Sequence, residues 1–148
     1  MYFVNRQKIA AMLDYVDHLL VIFHDQKWES EINKLALERL TQNLIESIID
    51  VGNQMIDGFI MRDPGGYEDI IDILEDEAVL PHEEAIGIKQ LIMLRKTLVR
   101  DYLTIDHQKM AGRVAANEQA LCHFSGRIRT YLDQELGPVS AFSAKPKA

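Results

Sequence analysis

From Ser30 to Met61 the chain runs thirty-two residues without a proline, and its apolar positions keep helical spacing. Leu37, Leu40, Leu44, Ile45, Ile48, Val51, Met55 and Phe59 recur at the three- and four-residue steps of one helix face. At 1.5 Å per residue such a helix is about 48 Å long, more than the diameter of a small globule. It must be the spine of the molecule, with a bend expected near Gly52 or Gly58. Ile48 with Ile49, and Ile56 with Phe59, widen the apolar face beyond one stripe. That width implies more than one packing partner, a second subunit being one option.

The remaining elements are also helical. Asn5 is an N-cap for a first helix over 5–25, whose inward face carries Ile9, Met12, Leu13, Val16, Leu19, Leu20 and Phe23. Asp63-Pro64-Gly65-Gly66 breaks the chain after the long helix. A short helix over 67–77 follows, with Ile70, Ile71, Ile73 and Leu74 inward. Pro81, then Glu83 and Glu84, start a fourth helix that is expected to reach Ile105. A fifth, over 106–136, ends at Gly137-Pro138, and residues 137–148, which close on VSAFSAKPKA, are expected to form a disordered tail. There is no strand pattern and no repeat. The fold class read from this is all-α, an antiparallel bundle of about five helices, in one domain over 1–136.

Charge adds one constraint. The formal net charge of −7 argues against loose, sequence-blind binding to nucleic acid, yet the distribution is uneven. Lys89 to Arg113 holds six Lys/Arg against two Asp, whereas Asp63 to Glu84 holds nine Asp/Glu and no Lys or Arg. An acidic chain can still present a basic site if its acidic block faces elsewhere. No apolar run approaches the ~20 residues that span a bilayer, and the opening MYFVNRQKIA does not read as a signal peptide. The single Cys122 cannot form an internal disulfide, which suits a cytoplasmic location. It lies on an apolar helical stripe and is expected to be a small buried hydrophobe rather than a reactive thiol. His18 and His24 share no ligand pattern and are not read as a metal site, and His82 and His123 are assigned no role.

Leu94-Arg95-Lys96-Thr97-Leu98-Val99-Arg100-Asp101-Tyr102 is the candidate site. Arginine presents a fork of donors that grips phosphate, and Lys96 adds charge. Arg95 and Arg100, five apart, diverge by about 140° on an ideal helix, whereas Arg95 and Tyr102 nearly eclipse each other. For the two arginines to meet at one phosphate, either the helix breaks between them or a two-fold copy supplies the second group.

The run Arg95 to Tyr102, followed by Ile105-Asp106, resembles the motif of the HepT-like toxins of the HEPN superfamily. That motif is Arg, usually Asn, two residues, a small apolar residue, His, any residue, Tyr. The similarity extends to MYFVNRQKI, Trp28, Ile49-Asp50-Val51-Gly52-Asn53 and Gly66-Tyr67-Glu68-Asp69, so it covers about residues 1–136. It is greatest with the YutE-like subgroup. The resemblance implies an all-helical homodimer whose subunits form a composite, metal-independent ribonuclease cleft, with no cofactor. It also implies a type VII toxin–antitoxin pair, in which a nucleotidyltransferase antitoxin silences the toxin by adding AMP to the motif tyrosine. By position, Arg95 is the motif arginine, Tyr102 the motif tyrosine, and Asp50 and Asn53 the polar pair near the cleft.

Two positions depart from the motif: Arg100 stands where the family has His, and Lys96 where it usually has Asn. A histidine can take and return a proton near neutrality; an arginine holds phosphate and stabilises charge but is not deprotonated in proteins. His107, two helical turns beyond Arg100, could replace the missing group only if the chain folds back near Asp106. Three readings follow. The chain is a ribonuclease; or it is a catalytically degenerate dimer in which Arg95, Lys96 and Arg100 cradle RNA, a nucleotide or a partner protein; or it is a helical adaptor. In the last case the arginines pair with Asp101, Asp106 or the acidic helix near Asp72.

Overall fold

The computed structural model describes residues 2–137, and the tail expected to be disordered lies outside them apart from Gly137. The elements are α1 (Arg6–Asp25), α2 (Glu31–Gly58), α3 (Tyr67–Asp76), α4 (His82–Ile92), α5 (Leu94–Val99), a 3-10 turn (Tyr102–Thr104), α6 (His107–Ala116) and α7 (Glu118–Leu136). The described residues contain no strand, and the architecture is a helical bundle.

Local chemistry sets the helix starts. Asn5, Ser30 and Asp106 each accept a backbone N–H three residues on, at Lys8, Asn33 and Lys109. Two ends are closed by the 6→1 bond of a Schellman turn: Met61 N–H to Ile56 O after α2, and Val79 N–H to Leu74 O after α3. The left-handed residue is Ile60 in one and Ala78 in the other, with φ of 56° and 62°.

The α2 helix is the expected spine, 28 residues and so about 42 Å long. It runs unbroken through Gly52 and ends at Gly58. Gly52 marks a close approach: a Cβ there would overlap the Ile70 side chain of α3. The wide apolar face needs no second subunit, because Ile49 and Ile56 are buried within the chain. Around the spine, α2 packs on α1, α3, α5 and α6, while α4 and α1 pack on α7. The buried side chains form one connected cluster, and every inward residue expected for the first three helices is in it except Met12, which is partly buried against it.

Two expected helices divide. The fourth turns at Met93 and stops at Val99, not Ile105. The last is interrupted at Asn117, whose side-chain amide donates to Arg113 O. Cys122 corrects another expectation: it is exposed. The buried stripe of α7 is Leu121, Phe124, Ser125, Ile128 and Leu132, and Cys122 falls at its edge. Partial covering of the sulfur, then Glu118 and Asp17, push its thiol pKa up.

The first and last helices are tied together. Arg6, in the first turn of α1, donates to Asp133 Oδ1 at 2.6 Å and to the carbonyls of Gly137 and Leu132 at 3.1 and 3.4 Å.

Candidate functional site

Helix α5 carries the candidate residues and leans on the spine. Leu94, its first residue, is buried in the core, which turns the next side chain, Arg95, along the protein surface toward α2. There its Nε donates to Glu46 Oε2 at 2.7 Å. The guanidinium also lies over the Tyr67 ring, 4.4 Å from the centroid, a cation–π contact from the first residue of α3. Three helices thus fix one arginine. The Glu46 hydrogen bond raises the Arg95 pKa against the opposing effect of burial, with Glu46 and Tyr67 charge adding to the rise.

This geometry uses one side of the guanidinium. The two terminal nitrogens take no hydrogen bond among the described residues. A phosphate can therefore meet the fork of Arg95 while Glu46 holds its stem. The ion pair that the adaptor reading anticipated exists, but with Glu46 rather than Asp101, Asp106 or Asp72. Asp72 is bound instead by Lys89 Nζ at 2.7 Å.

Lys96 is exposed one residue on, and its carbonyl accepts the N–H groups of Arg100 and Asp101 at 2.9 and 3.2 Å, closing α5. Arg100 is the cap residue; it keeps right-handed dihedrals, φ −112° and ψ −46°, and its side chain is exposed. Neither Lys96 nor Arg100 forms an ion pair among the described residues. The break comes too late to turn Arg100 back: the helical bonding persists to its N–H, so Arg95 and Arg100 still point to different sides. Tyr102 opens the 3-10 turn and is 60% exposed, and Leu103 beside it is 86% exposed.

Asp50 and Asn53 sit on α2 one and two turns after Glu46, on the same helix face. Asp50 is exposed and Asn53 partly buried. The structure therefore places both on the strip of α2 that receives Arg95. Glu46 and the role of Tyr67 were missed by sequence reasoning. The spacing Glu46–Asp50–Asn53 was the available signal.

His107 does not fold back onto Arg100. It opens α6, where its Nε2–H donates to Glu38 Oε2 of α2 at 2.6 Å. The other histidines that pair also take glutamates: His24 with Glu118, His82 with Glu75, His123 with Glu84. Among the described residues no three His, Cys, Asp or Glu side chains come together as a metal site would require.

Residues 12–128 match the family model described as HepT-like, "Ribonuclease HepT-like". The chain is 53% identical over 143 residues to "Putative RNase YutE" of Bacillus subtilis (strain 168), covering 96% of this chain and 99% of that protein. It is also similar to the solved structure of YutE from Bacillus subtilis, titled a cytosolic protein of unknown function. The TM-score is 0.92 at 53% identity, covering 96% of this chain and 100% of that one. No helix among the described residues is long and apolar enough to cross a membrane. With the family model matching residues 12–128 and the relative 53% identical over nearly the whole chain, the chain belongs to the HepT-like ribonuclease family.

Proposed function

We propose that this chain is a metal-independent endoribonuclease that works as a homodimer, with Arg95 and Arg100 of two copies lining one composite cleft. The observation that carries the reading is the posture of Arg95: held by Glu46 at Nε and by Tyr67 below, with both terminal nitrogens open. An anchored guanidinium loses little freedom when it takes a phosphate, and its charge is fixed where the transition state develops negative charge. The need for two copies follows from the divergence of Arg95 and Arg100 along α5. Lys96 and Arg100 extend the positive surface for the RNA backbone, and Asp50 and Asn53 edge it on α2. Tyr102 is an exposed hydroxyl that a nucleotidyltransferase antitoxin of a type VII pair would modify with AMP. The pair would act in the cytoplasm.

Purified protein incubated with cellular RNA, beside Arg95→Ala, tests this. Cleavage in the wild type and its loss in the variant are expected; equal RNA integrity in both overturns the proposal.

Arg100 favours a second reading, a dimer that binds RNA or a partner without cutting it. A guanidinium grips phosphate but takes no proton from a ribose hydroxyl. In that case RNA binds at low salt and survives, and Arg100→His switches cleavage on.

A further inference from the structure

Tyr67 is the first residue of α3, and the backbone on either side of it is pinned. Asp69 ties the preceding Arg62 and Gly65 to the first turn of the helix. One turn on, Ile70 is buried against Gly52 of the spine, so closely that a Cβ on Gly52 would overlap it. The ring is thus a platform fixed before any ligand arrives. The Arg95 guanidinium covers part of it, 4.4 Å from the centroid, yet 48% of the residue stays exposed. No other aromatic ring lies against it among the described residues.

A guanidinium and an aromatic ring in contact match the two ends of one nucleotide. The two terminal nitrogens of Arg95, unused among the described residues, suit a phosphate. The ring suits a base, because every base has a π-face to stack. Base and phosphate are separated by a single sugar, so one nucleotide can reach from the fork to the ring. Charge sets its direction. Glu68, beside Tyr67, and Asp50 on α2 are exposed carboxylates with no ion pair among the described residues. Both repel a phosphate, whereas Lys96 and Arg100 on α5 attract one. The RNA backbone therefore keeps to the α5 side, and the uncharged base is the part that lies toward α3.

We infer that Tyr67 is a substrate-binding residue: one unpaired base of the RNA stacks on its open surface while the phosphate of the same nucleotide lies in the fork of Arg95. The inference rests on the reading above, in which Arg95 takes an RNA phosphate. A ring held in advance by α3 loses little freedom when the base arrives. Fixing both ends of the nucleotide also fixes the sugar between them, the part that carries the 2′-hydroxyl. A base inside a duplex is already stacked on its neighbours and offers no free face, so the subsite selects unpaired RNA.

Binding is best read apart from cleavage, on an oligodeoxyadenylate, which has no 2′-hydroxyl to attack its own phosphate. The full chain is titrated at low salt, by fluorescence anisotropy, against this labelled oligomer and an abasic one of equal length. The wild type should bind the base-bearing oligomer about tenfold tighter or more. Tyr67→Phe should keep that advantage and Tyr67→Leu should lose it. A role limited to bracing Arg95 would instead weaken both oligomers alike in Tyr67→Leu and leave their ratio unchanged. Arg95→Ala should weaken both. Equal affinities in the wild type, or an advantage that survives Tyr67→Leu, overturn the inference and leave the reading of Arg95 standing. RNA left whole by a wild type that shows the Tyr67-dependent advantage overturns cleavage but upholds the subsite. Affinities unchanged in Arg95→Ala overturn the phosphate role of Arg95, and its pairing with a base on Tyr67 falls too.

Discussion

Arg95 shows how one side chain can serve structure and chemistry at once. Its pair with Glu46 lies at the surface, 29% and 38% exposed, so it adds no more than about 1 kcal/mol to stability. The stacking on Tyr67 adds about 0.5–1 kcal/mol more. Such small energies are ample to choose a rotamer. Glu46→Ala should therefore lower unfolding stability by about 1 kcal/mol or less, read by urea titration. The same change should slow RNA cleavage about tenfold or more, because a loosened guanidinium misplaces the phosphate. Cleavage that is unchanged in a protein that still folds would remove Glu46 from the site. At this scale the sequence was half legible. Arg95 stood out by its motif, but Glu46 lies 49 positions upstream, and nothing local announces a partner brought in by helix packing.

Among the elements, α3 shows an ion pair at its start. Its cap residue, Gly66, offers no side-chain cap. The Asp69 carboxylate instead ties the preceding loop to the first turn, accepting Arg62 Nη1 and Nη2 at 2.8 and 2.9 Å and the Gly65 N–H at 2.8 Å. Arg62, then Gly65, hold the Asp69 pKa at about 2, below its ordinary 3.8. A carboxyl depressed in the folded state contributes stability fully above its unfolded value and loses it as pH falls through the folded one. Stability against pH should thus drop more steeply between about pH 4 and pH 2 in the wild type than in Asp69→Asn, measured by thermal melts. Parallel curves would show that the carboxylate does not matter there. Helix identity was legible from periodicity, and the α2 spine and its core came through almost intact. The breaks at Met93 and Asn117 were not, because neither carries Gly or Pro. Met93 keeps right-handed helical dihedrals, φ −60° and ψ −23°. Gly87 of α4 passes so close to the Asn117 side chain that a Cβ would crowd it, so that junction belongs to tertiary packing.

At the scale of the whole molecule, the arginine surface is open on a single chain. Val99, Tyr102 and Leu103 project from it, 43%, 60% and 86% exposed, within five residues of one another. Burial of such side chains against a second copy is the driving force expected for the proposed dimer. Leu103→Lys should shift sedimentation from dimer toward monomer and abolish RNA cleavage while leaving helical circular dichroism intact. A variant that remains dimeric would place the interface elsewhere. The basic and acidic blocks, separate in sequence, are partly stitched together in space by Lys89 and Asp72, which leaves Arg95 to Arg100 as the positive edge. The Arg6 clasp has a different consequence. It joins positions 131 residues apart, so the first turn of α1 and the last turn of α7 share one latch. Fraying is usually a private matter of each terminus. Loosening either end of this bundle breaks the same contacts, so the two ends are expected to open together, as a ring opens at its single seam.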